Sequence, residues 1–291
     1  MKLRYPAVAG SWYAGTPNSL RKQIEQLFTH KLGPGNLPSV VEDGPRNVVG
    51  LVVPHAGYMA SGPVAAHAYH HLAEDGKPDV IVIFGPNHTG HGSALSIMNE
   101  GAWRTPLGDV EVDTETADKI LQASSIVDAD DRAHVYEHSI ELQLPFLQYL
   151  YGSGFRFVPI CFMMQDLESS REVGKAVASA LKGKNGLVIA SSDLTHYEPQ
   201  ERAEKKDRMA IDAALELDEE RYYNTVEAYG ISTCGYGPVI AAITAAKELG
   251  AKKAELLSYG TSGDVLGDRS AVVGYTSIAF MKKVNFRPCV Q

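Results

Sequence analysis

The chain alternates short continuous apolar runs with longer amphipathic segments, a pattern typical of a parallel sheet covered by helices. Three apolar runs predict buried strands at residues 48–53, 80–84 and 186–191. Because apolar residues fill these runs continuously rather than at every second position, both faces of each strand should be covered. The sequence therefore predicts an α/β fold, a single three-layer domain over residues 1–291 with a mostly parallel central sheet.

The remaining segments divide into helices, further strands and one loose region. Amphipathic segments predict helices at 19–30, 63–72, 114–124, 138–151, 167–181, 201–216, 218–228 and 237–249. Additional strands are predicted at 94–98, 155–162, 255–259 and 271–280, with an extended excursion at 102–113. Residues 32–47 are rich in turn formers and predict a loop.

Polar residues follow directly on the three buried strands, and open α/β sheets bind ligands outside the carboxyl ends of their strands. His55 follows the first strand and His88 follows the second. Since neutral imidazole is the commonest metal-binding side chain, two histidines at equivalent strand exits predict a shared site. The alternative is that each is a turn histidine bonded to a backbone carbonyl.

Asp193 and His196 follow the third strand, three residues apart. If this loop opens a helix, both side chains fall on the same side of it, where the carboxylate could orient the imidazole or bind a metal. The alternative is an aspartate helix cap with His196 on the surface. Cys234 precedes a predicted helix start, whose positive field favours a thiolate. The alternative for Cys234 is a small residue buried under the loop.

Residues 134–138 match H-x-x-E-H, the inverted zinc-peptidase motif. No comparable acidic motif follows that would supply a third ligand, so we expect Glu137, His138 and Glu141 to be polar residues on the inner face of one helix. Hydrolysis through His134, Glu137 and His138 remains an alternative. Three further histidines, at positions 67, 70 and 71, are expected to be core or surface residues of their helix.

Composition narrows the functional classes. The formal net charge of -8 argues against non-specific nucleic-acid binding, which needs a basic surface. No run approaches the length of a membrane span and no signal peptide is apparent, so a cytoplasmic protein without membrane contact is expected. The three cysteines are too few for a disulfide framework. Cys161 is expected to be an inert core thiol, and Cys289 lies near a polar tail.

Short motifs along nearly the whole chain resemble the Memo family, which includes the animal mediator of cell motility and the prokaryotic AmmeMemoRadiSam system protein B. The motifs are Ala9-Gly10-Ser11-Trp12-Tyr13, Pro54-His55-Ala56-Gly57-Tyr58, Gly85-Pro86-Asn87-His88, Arg104-Thr105-Pro106-Leu107, Glu137-His138-Ser139-Ile140-Glu141, Ser191-Ser192-Asp193 with His196, and Cys234-Gly235. The prokaryotic family name implies partnership with a radical-SAM protein and an AMMECR-type protein.

The Memo family is similar in fold to class III extradiol dioxygenase subunits, which cleave catechol rings with non-haem iron(II). Two histidines and a glutamate hold the metal in that wider group. By the resemblance, His55 and His88 would be ligands, Cys234 would take the third ligand position, and His196 with Asp193 would do acid–base work. A thiolate in place of a carboxylate makes a softer site, suited to copper(I), zinc or iron.

The resemblance implies outer-shell or substrate-facing roles for four neighbouring residues, Tyr58, Asn87, Glu137 and His138. It implies no organic cofactor. The function expected from the sequence is a metal-binding cleft related to non-haem iron dioxygenases, with redox activity on an unknown substrate. The alternative is a non-catalytic module that uses the same cleft to bind a small molecule, a peptide or a protein.

Overall fold

Twelve strands and nine α-helices are present among residues 2–282, the part of the chain that the computed structural model describes. The strands are β1 (Leu3–Arg4), β2 (Val48–Val53), β3 (Val80–Pro86), β4 (Leu95–Ile97), β5 (Ala102–Thr105), β6 (Gly108–Glu111), β7 (Asp128–Ala129), β8 (Arg156–Phe162), β9 (Gly186–Ser191), β10 (His196–Glu198), β11 (Lys253–Thr261) and β12 (Val272–Met281). The helices are α1 (Pro17–Phe28), α2 (Tyr58–Ala73), α3 (Thr114–Ala123), α4 (Leu144–Tyr151), α5 (Leu167–Ala180), α6 (Gln200–Leu215), α7 (Glu219–Tyr229), α8 (Tyr236–Glu248) and α9 (Ser262–Leu266). Cys289 lies outside the described residues.

Nine of the strands form one large sheet, in the order β10-β12-β2-β9-β3-β8-β4-β7, with β11 also paired to β12. Its four central strands, β2, β9, β3 and β8, are parallel neighbours. On the flanks, β12 runs antiparallel to β2, β10 and β11, and β4 runs antiparallel to β8. The predicted parallel arrangement therefore holds at the centre of the sheet, and the flanks are largely antiparallel. A second small sheet has the order β1-β5-β6.

Successive residues of the central strands face two separate apolar cores. On β3, Val80, Val82 and Phe84 pack into the core that contains residues of α5 and α8. Ile81 and Ile83 pack into the other core, with residues of α1, α2 and α4. Helices thus cover both faces of the sheet, which confirms the predicted α/β fold class and its three layers. That residues 1–291 form a single domain stays a prediction. None of the helices between residues 2 and 282 is long and apolar enough to cross a membrane.

Beside the polar residues, one predicted helix begins later than expected, and the helix considered at Asp193 does not form. The helix predicted at 138–151 begins only at Leu144, after a short 3-10 turn. The Glu137 carboxylate accepts the backbone N–H groups of His138 and Ser139, and such local bonds compete with helix formation. No helix opens at Asp193, because its carboxylate accepts the backbone N–H of His55 instead of capping a helix. The chain continues from there into β10.

Candidate metal centre

The loops that follow β2, β3 and β9 form one edge of the central sheet. His55 lies two residues beyond β2, His88 two residues beyond β3 and Asp193 two residues beyond β9. Because β9 lies between β2 and β3 in the sheet, the three strand exits are neighbours. This is the position at which open α/β sheets bind ligands.

Three imidazoles converge at this edge: His55, His88 and His138, called here the His55 trio. One ring nitrogen from each lies within 4.8 Å of the other two. In the part of the chain that the structure describes, no other set of three histidine, cysteine or acidic side chains comes as close. The sequence predicted His55 and His88 as ligands and placed His138 in the outer shell. The structure brings His138 as close as the two predicted ligands.

Each ring of the trio has a polar group near its Nδ1 atom, and hydrogen bonds orient two of the rings. His55 Nδ1 lies 2.9 Å from the Ser191 hydroxyl, and His88 Nδ1 lies 2.9 Å from a Glu137 carboxylate oxygen. The same carboxylate oxygen lies 3.5 Å from His138 Nδ1. These contacts leave Nε2 of His88 and His138 free of those partners, while His55 Nε2 lies near the Cys234 thiol. Metal-ligating histidines in proteins show this arrangement, in which an outer partner fixes tautomer and ring orientation.

Burial favours the neutral imidazole that metals bind. It lowers the pKa of His55 well below its usual value, and lowers the pKa of His138 to about 4. Burial by itself would raise the pKa of Glu137. The hydrogen bond from His88 and the charges of both neighbouring rings outweigh it and lower that pKa to about 2. Two rings of the trio are therefore neutral at physiological pH, beside a charged carboxylate that orients His88.

Cys234 lies next to the trio without being a member of it. Its Sγ atom is 3.2 Å from His55 Nε2, and it accepts the backbone N–H of Asp193 at 3.3 Å. It lies two residues before Tyr236, the first residue of α8, so it precedes a helix start as predicted from the sequence. Burial raises the pKa of this thiol well above its usual value, contrary to the thiolate expected at a helix start. A bound cation deprotonates a coordinating thiol.

The predicted acid–base pair does not share a helix face. Asp193 is buried, accepts the His55 backbone N–H at 2.8 Å, and has its pKa raised by burial to about 6. His196 turns its Nδ1 atom to the backbone, 2.7 Å from the Leu194 carbonyl and 2.9 Å from the Ser232 carbonyl. The catalytic roles of both residues stay predictions.

Tyr58 and Asn87 shape the surroundings of the trio. Tyr58 is buried, and its hydroxyl donates to the Leu142 carbonyl at 2.7 Å. The side-chain oxygen of Asn87 accepts the backbone N–H groups of Thr89 and Gly90, which orders the loop that carries His88. Their predicted outer-shell or substrate-facing roles stay predictions.

A buried ion pair, which sequence reasoning missed, supports the loop that carries Glu137 and His138. Glu141 pairs with Arg4 and also accepts the Tyr13 hydroxyl and two backbone N–H groups of the N-terminal segment. Arg4 donates further bonds to the backbone carbonyls of His134 and Glu137. Glu141 stands in a motif that the sequence singled out, but nothing local to that motif identifies Arg4 as its partner.

The H-x-x-E-H motif does not have the geometry of a zinc peptidase. Residues 134 to 138 are not helical, and His134 is fully buried with its ring edge-on against Trp103, 5.7 Å between centroids. Glu137 accepts hydrogen bonds from the loop and from His88. The structure therefore gives hydrolysis through His134, Glu137 and His138 no support.

Comparison with known proteins places the chain in a family. The family model for "Memo-like protein" matches residues 4–279. A MEMO1 family protein of Methanopyrus kandleri is 54% identical over 96% of this chain and 99% of its own length. One from Methanothermobacter thermautotrophicus is 51% identical over 95% of this chain and all of its own.

Similarity to a solved structure extends to the fold. An uncharacterized protein of Escherichia coli K12 superposes with a TM-score of 0.56 at 13% identity, covering 80% of this chain and 99% of its own. The sequence resemblance to the Memo family is confirmed by the family match and by the archaeal relatives. The chain belongs to the Memo-like protein family.

Proposed function

We propose that this protein binds a transition-metal ion through the His55 trio, with Cys234 as a further donor. The observation that carries the proposal is the approach of three ring nitrogens to within 4.8 Å, in rings oriented from behind by Ser191 and Glu137. Imidazole nitrogens combined with a thiolate suit zinc, copper and iron, the three metals expected from the sequence.

A redox reaction on a small molecule in this cleft is the activity that the donor set favours. When bound, iron or copper supplies one-electron chemistry that amino-acid side chains lack. Asp193 is the first candidate for proton transfer, because its buried carboxyl group lies beside the site and accepts the His55 backbone N–H at 2.8 Å. His196, held by two backbone carbonyls, is the second candidate for proton transfer.

Metal titration of single variants tests the proposal. Protein stripped with a chelator would be titrated with zinc, iron(II) or copper(I) under reducing conditions, by calorimetry and elemental analysis. We expect a tight equivalent at the trio, and a strong loss of affinity in His55→Ala, His88→Ala and His138→Ala. The matched control is His91→Ala, an exposed histidine on the loop that follows β3. Failure of the wild-type protein to bind any of the three metals would overturn the proposal.

Cys234→Ser separates the roles of the thiol and the imidazoles. With sulfur as a metal donor, this variant weakens copper(I) and zinc far more than it weakens iron(II), since thiolate is the soft ligand of the set. Equal affinity of wild type and Cys234→Ser for all three metals would remove the thiol from the ligand set and leave the imidazole trio.

A further inference from the structure

A second group of side chains that can bind metals lies on helix α2 and at its C-cap residue, well away from the His55 trio. The sequence from position 67 to 74 places histidine at 67, 70 and 71 and glutamate at 74. These four residues, called here the α2 donor stripe, have the i, i+3, i+4, i+7 spacing that puts side chains on one face of a helix. At 1.5 Å per residue, His67 lies about 14 Å along α2 from Tyr58, which is the end nearest the trio.

All four members of the stripe line a single cavity of about 360 Å³ between α2 and β11. Glu255 of β11 lines the same cavity from the opposite side. Two carboxylate residues and three histidines therefore line one cavity. A divalent cation that binds imidazole and carboxylate suits this donor set, and zinc is the typical case.

Two histidines of the stripe, His67 and His70, have a ring nitrogen without a hydrogen-bond partner among the described contacts. His67 Nε2 lies 3.1 Å from the Leu32 carbonyl, which orients the ring and leaves Nδ1 as the second nitrogen. The Nε2 atom of His70 is buried without a hydrogen-bond partner among the described residues. The stripe also lies in the last turns of α2, where the helix dipole favours positive charge.

We propose that the α2 donor stripe, together with Glu255, forms a second binding site for a divalent transition metal. The donor atoms of the stripe lie farther apart than those of the trio. Among residues 2–282, the trio is the set of three whose donor atoms lie within 4.8 Å of one another. Half-exposed side chains can rotate to a cation, but ordering them costs conformational entropy. Glu255 also leaves an ion pair with Lys253 when it binds the metal. The second site is therefore weaker than the first and clamps α2 to β11.

Zinc stoichiometry tests this site independently of the trio. Chelator-stripped wild-type protein is expected to bind two equivalents of zinc, and His67→Ala/His71→Ala to bind one. The His55→Ala/His88→Ala variant is expected to keep the weaker equivalent, and zinc to raise its thermal unfolding temperature. The histidine control is His30→Ala, which lies outside the cavity lining.

A milder variant keeps the test valid if the double alanine variant does not fold, as judged by circular dichroism. Glu74 is exposed, so Glu74→Gln removes a donor charge without disturbing the core. We expect it to lower the affinity for the second zinc ion by at least about tenfold. Loss of an outer partner of a metal ligand already costs about that much. Zinc stoichiometry and affinity that are unchanged in both His67→Ala/His71→Ala and Glu74→Gln would overturn the second site. If the His55→Ala/His88→Ala variant binds no zinc at all, the stripe is not a metal site and the trio is the one that binds zinc.

Discussion

The His55 trio and the α2 donor stripe use the same kind of side chain in opposite ways. The trio comes from three distant loops, and polar partners hold its rings, so that its nitrogens already converge. The stripe comes from two turns of one helix and faces an open cavity with half-exposed side chains. Helical spacing in the sequence is therefore enough to place several donors on one face of a helix. Bringing their nitrogens close enough to share one metal ion also needs buried groups that hold the rings in place.

The largest effect on stability is expected from breaking the buried Arg4–Glu141 pair, which supports the loop that carries Glu137 and His138. Glu141→Gln leaves Arg4 buried without a counter-charge, which typically lowers the free energy of unfolding by about 3–5 kcal/mol. Chemical denaturation measures this loss, and the trio should lose metal affinity with it, while the stripe keeps its zinc.

The control for Glu141→Gln is an exposed ion pair. Arg104 and Asp109 form a two-pronged pair at the surface, and Asp109→Asn should leave the unfolding transition in place. If Glu141→Gln unfolds at the same denaturant concentration as wild type, the buried pair does not support the loop in the way described.

Ser191→Ala removes the partner behind one ring of the trio and leaves the ligands unchanged. The hydroxyl contacts His55 Nδ1 and also accepts a hydrogen bond from Gln143. Loss of such an outer partner typically weakens metal binding by about 10- to 100-fold. Calorimetry would measure it, with Ser277→Ala as the control, since Ser277 is buried and its hydroxyl bonds the Val64 carbonyl. Equal losses in the two variants would show that the effect is general destabilisation.

A smaller effect is expected in how the free energy of unfolding of the metal-free protein changes with pH. The His138 pKa is about 4 in the fold, against about 6.5 in the unfolded chain, so the unfolded chain takes up the proton first as pH falls. The stability that the neutral His138 ring contributes is therefore fully present above about pH 6.5, and it is lost as the pH falls from about 6.5 to 4. His138→Asn should flatten part of this decline in the free energy of unfolding. Identical slopes for wild type and His138→Asn would contradict the neutral, buried ring.

The smallest effect on metal binding is expected from His196→Gln. The His196 ring lies against the carbonyls of Leu194 and Ser232 and is not a member of the trio. Zinc affinity by calorimetry should therefore match that of wild type. A marked loss would mean that His196 turns toward the metal and that the trio is an incomplete account of the site.

Some features of the fold and of the site have a local signal in the sequence, and others do not. The central strands were predicted because apolar runs covered on both faces leave a local signal, and His55 and His88 were placed because they follow such strands. The approach of His138 was missed because its loop shape depends on the Glu137 carboxylate bonding to nearby backbone N–H groups. Arg4 was missed because its partner is 137 residues away in the chain, and single-sequence patterns do not encode such pairs.

X-ray absorption spectroscopy of the zinc-loaded protein would identify the atoms that bind the metal, with His67→Ala/His71→Ala as the background so that only the trio is filled. We expect a shell of imidazole nitrogens at about 2.0–2.1 Å and one sulfur at about 2.3 Å, with the sulfur lost in Cys234→Ser. A shell of oxygen ligands without imidazole scattering would show that the trio does not bind the metal.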